Sequence, residues 1–170
     1  MSLKTANKVS PALMIKAEDI ERLLSEWQSV SAWVKAHVFT RLPPHRYRGE
    51  LALEERGLVF RGTDVSEDKE YQELIPFSKI KEISLEFDGA LRQSFDRAFG
   101  SGGPVPLTIV YERNDRPQTA YFNTDFNRYP TPRNYPNQEW YDLLKVKLVT
   151  HRNHGNGNNR HPWPPPDTHF

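Results

Sequence analysis

The feature that most constrains this fold is a series of short segments, beginning after Pro43-Pro44, in which apolar and polar residues alternate. In residues 47–53 the apolar positions recur at every second residue, which is the period of a β-strand with one buried face. The same tendency is found in residues 58–60, 71–75, 80–87, 104–113 and 119–123. Mostly short links join these segments, and they contain no crossover helices, so the pattern predicts about six antiparallel strands in a sheet or small barrel.

Two stretches with helical spacing flank the predicted strands. The first begins at Glu18 and must end before Pro43, because a proline disfavours the helical conformation of its predecessor. Its apolar positions are Ile20, Leu23, Leu24, Trp27, Val30 and Val34. Residues 33–40 also alternate, so a strand there is an open alternative. The second helix is predicted to follow Asn137 as N-cap. Its apolar stripe is Trp140, Leu143, Leu144 and Leu148.

The chain of 170 residues is expected to form a single domain with flanking tails. Residues 1–16 show no clear period and are expected to be flexible, whereas residues 17–152 are predicted to form the domain. Residues 153–170 are rich in Asn, His and Pro and are expected to be a disordered tail. With no signal-peptide pattern, no apolar run near the ~20 residues of a membrane span and no cysteine, a cytoplasmic location is expected.

Composition and motifs argue against several functional classes. The formal net charge of +1 does not suit a broad nucleic-acid surface, which needs a clearly basic domain. The absence of cysteine excludes disulfides, iron–sulfur clusters and thiol nucleophiles. No nucleophile elbow, zinc-protease, P-loop or dinucleotide-binding motif is present. We therefore expect no enzyme activity, no cofactor and no metal site.

The most promising candidate site is the segment 88–103. Its candidate binding residues are Leu91, Arg92, Phe95, Arg97 and Phe99. The three apolar members recur at four-residue spacing, so a short amphipathic helix would present them to a protein partner or to a membrane surface. In the alternative interpretation they close an open end of the barrel, because apolar stripes usually face a core.

Other polar and tail features have weaker functional interpretations. His151 and His154 have a spacing that would suit a shared metal, but they lack the supporting carboxylates expected around metal ligands. The run Trp163-Pro164-Pro165-Pro166 is typical of polyproline II ligands. A solvated tail accounts for both features. A polar cluster follows the last predicted strand and is interpreted as a turn. Its members are Asn123, Asp125, Asn127 and Arg128.

The stretch from Tyr47 to Val149 resembles the pleckstrin-homology-like (PH-like) superfamily, especially its bacterial PH-like and GRAM-type modules. The matching segments are GELALEERGLVF, IPFSKIKEISLEFD, PLTIVYER, TAYFN and NQEWYDLLKVKL. The resemblance implies a bent, orthogonal antiparallel β-barrel that the C-terminal helix plugs at one end, and a non-catalytic binding function. It also implies one strand more than the alternation predicts, with residues 33–40 or 91–95 as candidates for it.

The resemblance also guides the expectation about ligands. Phosphoinositide-binding members carry several Lys or Arg residues around the first hairpin loop as clamps for phosphate charge. Around this loop the chain has Arg46, Arg48 and Arg56, but also Glu50, Glu54 and Glu55. A protein segment, or a weak contact with a membrane surface, is the expected ligand. The alternative function is a lipocalin-like barrel around a small apolar ligand, which closed barrels of about eight strands can enclose.

Overall fold

The structure is a computed structural model that describes residues 8–25, 45–86, 105–124, 126 and 136–155. Within these residues the chain is mainly β, with seven strands and two α-helices. The strands are β1 (Val9–Lys16), β2 (Tyr47–Leu53), β3 (Gly57–Asp64), β4 (Lys69–Pro76), β5 (Ile80–Leu85), β6 (Leu107–Arg113) and β7 (Arg116–Thr124). The helices are α1 (Ala17–Ser25) and α2 (Pro136–Gly155), and a 3-10 turn (Phe77–Lys79) joins β4 to β5.

All seven strands belong to one antiparallel sheet with the order β4-β3-β2-β1-β7-β6-β5. Two meanders, β2–β3–β4 and β5–β6–β7, are joined through β1, which pairs with β2 on one side and with β7 on the other. The prediction of a mainly β, antiparallel, barrel-like fold with a C-terminal helix is confirmed. In the described part of the chain β4 and β5 do not pair, so the sheet forms a half-barrel with two free edges.

The prediction that residues 1–16 are flexible is wrong for Val9–Lys16, which form the central strand. Ala12 and Met14 lie in the core, while Leu13 and Ile15 on the opposite face are also buried. A strand buried on both faces shows a continuous apolar run instead of alternation, and this explains why the period was missed. The seventh strand is therefore β1, whereas the candidate segments 33–40 and 91–95 lie outside the described residues.

One hydrophobic core fills the inside of the half-barrel, with contributions from all seven strands and from α2. Its buried members are Ala12, Met14, Tyr47, Leu51, Leu53, Leu58, Phe60, Ile75, Phe77, Ile80, Leu107, Ile109, Tyr111, Ala120, Phe122, Trp140, Leu144 and Leu148. Trp140 is completely buried, as predicted, and its indole Nε1 donates a hydrogen bond to Ser10 Oγ at 3.1 Å. Helix α2 thus closes the end of the half-barrel at which β1 begins.

Asn137 is not the N-cap that the sequence predicts, because α2 already begins at Pro136. Its side-chain oxygen instead accepts hydrogen bonds from the backbone N–H and the hydroxyl of Thr124, at 2.8 and 2.9 Å. Its amide group donates to the carbonyl oxygen of Val105 at 2.7 Å. Asn137 therefore fastens the start of α2 to β7 and to the chain entering β6.

Both predicted helices differ from expectation in extent. Helix α2 continues to Gly155, so residues 153–155, predicted to belong to the tail, are helical, and residues 156–170 lie outside the described part. Helix α1 follows β1 directly, buries Ile20, and has the Asp19 carboxylate accepting from the backbone N–H of Lys16 at 3.2 Å. The predicted continuation of this helix beyond Ser25 is not among the described residues. Neither α1 nor α2 is long and apolar enough to cross a membrane.

Candidate functional site

The binding residues predicted from sequence lie outside the part of the chain that the structure describes. They are Leu91, Arg92, Phe95, Arg97 and Phe99. Their role stays a prediction. Of the polar cluster predicted as a turn, Asn123 is buried in β7, and the other members lie outside the described residues. Within the described residues, a cluster of charged side chains forms at the end of the half-barrel opposite Trp140.

Strand direction explains why these charged groups share one end. Strands β1, β3 and β6 end there, whereas β2, β4 and β7 begin there. The side chains that continue the inward-facing rows past the apolar core are polar at this end. We call this region the polar end. It consists of Lys16, Arg46, Tyr47, Asp64, Tyr71, Glu73, Tyr111 and Arg113.

Glu73 on β4 is the centre of the polar end, with a side chain only 2% exposed. Lys16 Nζ donates to its carboxylate at 2.9 Å, and the Tyr111 hydroxyl donates at 3.0 Å. Arg113 Nη1 donates to both carboxylate oxygens, at 2.9 and 2.8 Å, and the Tyr71 hydroxyl supplies a further hydrogen bond. A buried carboxylate with this many donors is fully satisfied.

The Glu73 contacts also show how strongly the sheet curls. In the strand order, β4 and β6 are separated by four intervening strands. In a flat sheet they would lie about 24 Å apart, given a spacing of about 4.8 Å between neighbouring strands. The hydrogen bond from Tyr111 to Glu73 therefore spans the inside of the half-barrel and ties its two meanders together.

A second ion network, centred on Arg46, borders the first. Arg46 lies just before β2 and pairs with Asp19 of α1 at 2.7 Å and with Asp64 of β3 at 2.8 Å. Glu67, in the turn between β3 and β4, lies at 3.3 Å. Because both aspartates are nearly buried, these contacts fix α1 and the β3–β4 turn against the start of β2.

Aromatic stacking joins the two ion networks. The rings of Tyr47 and Tyr71 stack with centroids 4.0 Å apart, and Arg46 and Lys16 lie against them at 5.3 and 5.2 Å. Tyr71 on β4 pairs with Gly62 on β3, and Gly62 pairs on its other side with β2. A Cβ atom at Gly62 would lie 2.3 Å from a backbone carbonyl oxygen of β2, so only glycine allows this close approach of the strands.

The two carboxylates of the polar end, Glu73 and Asp64, have pKa values below the ordinary carboxyl value. Burial opposes ionisation of Glu73, but hydrogen bonds from its tyrosine and lysine partners outweigh it and hold its pKa below the ordinary value. Burial also opposes ionisation of Asp64, yet hydrogen bonds from Arg46 and Ser66 lower its pKa to about 2. General acid–base catalysis favours a pKa near the working pH, which neither carboxylate has.

The tyrosines of the polar end shift in the opposite direction. Burial, and then the charge of Asp19, raise the pKa of Tyr47 to about 12. Burial also raises the pKa values of Tyr71 and Tyr111, and the charge on Glu73 raises them further. At neutral pH the three hydroxyls stay protonated, and those of Tyr71 and Tyr111 donate hydrogen bonds to Glu73. The polar end is therefore suited to holding the half-barrel together, and these groups are not suited to proton transfer.

The outer face of β3 and β4 carries an open trough of about 650 Å³. Its lining residues are Arg61, Gly62, Thr63, Glu70, Tyr71 and Gln72. It borders the free edge of β4 and lies outside the packed interior. Among the described residues, the trough and the neighbouring edge are open on the outside of the sheet.

The tail features do not form a site in the described residues. The His151 ring lies 6.0 Å from the Phe77 ring, a contact at the C-terminal part of α2. No group of three His, Asp or Glu side chains that could hold a metal ion occurs in the part of the chain that the structure covers. The Trp163–Pro166 run lies outside that part.

Neither Lys16 nor Glu73 is among the site residues predicted from the sequence. The available signal for Glu73 was its position in β4, where it shares a face with the apolar residues Tyr71 and Ile75. A charged residue on the inward face of a strand needs a buried partner. Nothing local identifies that partner, because Lys16 lies in a separate strand, 57 residues earlier.

Comparison of the chain with protein-family models, with curated proteins and with solved structures finds no match. Its function therefore has to be inferred from its own residues and geometry.

Proposed function

We propose that this chain is a non-catalytic binding module of the PH-like type that recognises an extended segment of a partner protein. The observation that carries the proposal is the combination of a filled interior and a free sheet edge. Apolar side chains and the polar end occupy the inside of the half-barrel, whereas no strand among the described residues pairs with the outer side of β4. A ligand must then bind on the outside, where backbone groups of an edge strand are available.

The architecture supports the PH-like part of the proposal. The resemblance implies a bent antiparallel barrel closed by a helix with a tryptophan. Seven strands in two meanders, with α2 and the buried Trp140 at one end, agree with that expectation. The fold alone does not specify a ligand, because one fold hosts many functions. The choice of ligand therefore depends on the surface chemistry.

The charge pairing of the polar end favours a protein ligand over a phosphorylated lipid. Its cations are already bound to carboxylates, Arg46 to Asp19 and Asp64, and Lys16 to Glu73. A phosphate group would have to displace these buried anions. A lipocalin-like function is also less well supported, because the core residues fill the space that an apolar ligand would need.

Selection from a phage-displayed library of random peptides on the immobilised, intact chain tests this function. We expect enrichment of peptides with a shared alternating pattern, which then bind the chain in solution. A library that yields no binding peptide would contradict the proposal. Flotation with vesicles of phosphatidylcholine and phosphatidylserine, and native mass spectrometry for a retained small molecule, test the membrane and lipocalin alternatives.

The same assay tests the candidate segment 88–103. A chain with both Phe95→Asp and Phe99→Asp is compared with the wild type after circular dichroism has shown that it is folded. Loss of peptide binding would place the ligand on that segment, whereas unchanged binding would remove the segment from the proposal and leave the sheet edge as the site.

A further inference from the structure

We propose that the free edge of β4 is the docking site, where an extended segment of a partner protein adds to the sheet as an eighth strand. The partner would place a basic side chain beside Glu70 and an apolar side chain beside Leu74. This inference rests on the proposed peptide-binding function and specifies its site and its preferred ligand chemistry.

The ladder between β3 and β4 shows which backbone groups of the edge are free. The N–H of Phe77 donates to the carbonyl oxygen of Arg56 at 3.0 Å, across the pair formed by Gly57 and Pro76. This bond makes Arg56 and Phe77 a hydrogen-bonded pair of the antiparallel ladder. Hydrogen-bonded and non-hydrogen-bonded pairs alternate, so in the next pair, Gly57 and Pro76, the N–H and C=O groups of the two strands point away from each other. The backbone of Pro76 therefore faces outward, where its missing N–H breaks no bond of the sheet.

Non-hydrogen-bonded pairs recur at every second position of the ladder. Every second residue of β4 therefore points its backbone N–H and C=O groups away from β3, toward the free edge. These residues are Glu70, Gln72 and Leu74, which pair with Thr63, Arg61 and Val59 in an unbroken register. Within the ranges that the structure describes, no strand lies beside their N–H and C=O groups, since β4 is the last strand of the sheet there. They form a ready template for three successive backbone pairs with an added strand.

The other edge, β5, is a poorer template. Its register with β6 shifts between Ile80 and Glu82, and such a bulge disturbs the even spacing that an added strand needs. Helix α2 also packs against β5. An inward-pointing charged residue on an edge strand normally discourages another strand from adding to that edge. Strand β4 has such a residue, Glu73, but its carboxylate is already hydrogen-bonded within the polar end.

The side chains beside the free backbone groups indicate the chemistry of the partner. Leu74 is 54% exposed, and it can pack against an apolar residue of the added strand. Glu70 lines the trough and has no cationic partner among the described residues. The nearby Arg61 pairs with Glu54 at 2.6 Å, so it does not neutralise Glu70. A lysine or arginine of the partner would neutralise the charge of Glu70.

A second copy of this chain is a less suitable occupant. Antiparallel pairing of two β4 strands centred on Gln72 would align all three outward residues of both copies. That register places Glu70 of one copy opposite Leu74 of the other, so neither side chain meets a complementary one. A separate partner with apolar and basic residues at alternate positions matches the edge better.

A fluorescein-labelled synthetic peptide is the probe. Its central sequence is Val-Thr-Thr-Thr-Lys. When this segment pairs with β4 as an antiparallel strand, its valine lies beside Leu74 and its lysine beside Glu70. Binding to the intact chain is measured by fluorescence anisotropy, and the contact surface by amide chemical shifts and hydrogen exchange. We expect slowed exchange at Glu70, Gln72 and Leu74. Shifts confined to another surface would overturn the inference.

Two variants sharpen the test. Gln72→Pro removes an outward-facing N–H without removing a bond of the sheet, and Gln72→Ala is the matched control for its side chain. We expect Gln72→Pro to weaken binding about tenfold, as the loss of a backbone hydrogen bond would, and Gln72→Ala to bind like the wild type. Equal binding of both variants contradicts strand addition.

Glu70→Lys tests the charge preference and does not depend on how the proline variant folds. We expect it to favour a peptide with glutamate in place of the lysine, whereas the wild type favours the lysine peptide. An unchanged preference, a lysine peptide that does not bind, or dimers in sedimentation velocity that Gln72→Pro dissociates would each overturn the edge proposal. The proposed function itself fails only if the phage library yields no binding peptide.

Discussion

Replacing Glu73 with glutamine is expected to lower the free energy of unfolding by about 3–5 kcal/mol, the usual cost of leaving a buried charge without its partner. The side chains of Glu73 and Lys16 are only 2% and 6% exposed and pair at 2.9 Å. Glutamine keeps the shape but removes the charge that compensates the Lys16 ammonium group. Arg113 is half exposed and can turn to solvent, so the cost arises mainly at Lys16.

The double variant Lys16→Met with Glu73→Gln separates the missing charge from other effects of the substitution. Methionine has a stem of similar length and brings no charge into the interior, so most of the lost stability should return. We expect the double variant to be more stable than the sum of the two single losses predicts, by about 2 kcal/mol or more. This difference is the coupling free energy of the buried pair.

Urea unfolding followed by tryptophan fluorescence measures these quantities. With a slope of about 2 kcal/mol per molar urea, a loss of 3–5 kcal/mol lowers the midpoint by about 1.5–2.5 M. Glu54→Gln is the control, because its pair with Arg61 has side chains 42% and 52% exposed and should contribute less than about 1 kcal/mol. A loss for Glu73→Gln as small as that of the control, or additive losses in the double variant, would refute this account.

Four further changes test other parts of the structure. Gly62→Ala would place a Cβ atom 2.3 Å from a backbone carbonyl oxygen and should cost about 1–3 kcal/mol in urea unfolding; an unchanged midpoint would contradict the close approach of β2 and β3. Asn137→Ala leaves the buried N–H of Thr124 without its acceptor and should cost about 1–3 kcal/mol, whereas a neutral result would mean that α2 docks without this contact. The pKa of Asp64 falls from 3.8 in the unfolded chain to about 2 in the folded one, so its carboxylate contributes stability above pH ~4 that is lost as the pH falls to ~2. The melting temperature of Asp64→Asn should therefore vary less over this pH range than that of the wild type. Parallel curves of melting temperature against pH would contradict the pKa shift. Tyr121→Phe removes a buried hydroxyl for which the described residues supply no hydrogen-bond partner. It should leave the melting temperature equal or higher, so a clear decrease would show that this hydroxyl is bonded.

Much of the sheet could be predicted because apolar and polar residues alternate in at least part of six strands, although stretches of β3 and β7 are buried on both faces. Their alternation persists in the sequence regardless of which strands they pair with, as in Leu51 and Leu53 of β2. The stripe around Trp140 likewise predicts α2 and its inward face. The N-cap assignment of Asn137 failed, because the same side chain serves equally well to bind a neighbouring strand, and only packing decides between these uses.

The polar end could not be predicted for a related reason. Alternation places Glu73 on the same face of β4 as Tyr71 and Ile75, but its partner Lys16 lies 57 residues away in a strand without a clear period. Their partnership requires that β1 lie between the two meanders and that the sheet curl until β4 faces β6. No local pattern encodes this proximity.

Local alternation and amphipathic spacing were thus enough to specify an antiparallel, helix-capped β protein, because both depend only on which side of each element avoids water. Tertiary packing alone selected β1 as the strand that joins the two meanders, since burial on both faces erases its period. Packing also determined that one carboxylate ties the curled sheet together and that β4 forms the last strand of the described sheet, because both result from contacts between residues far apart in the chain.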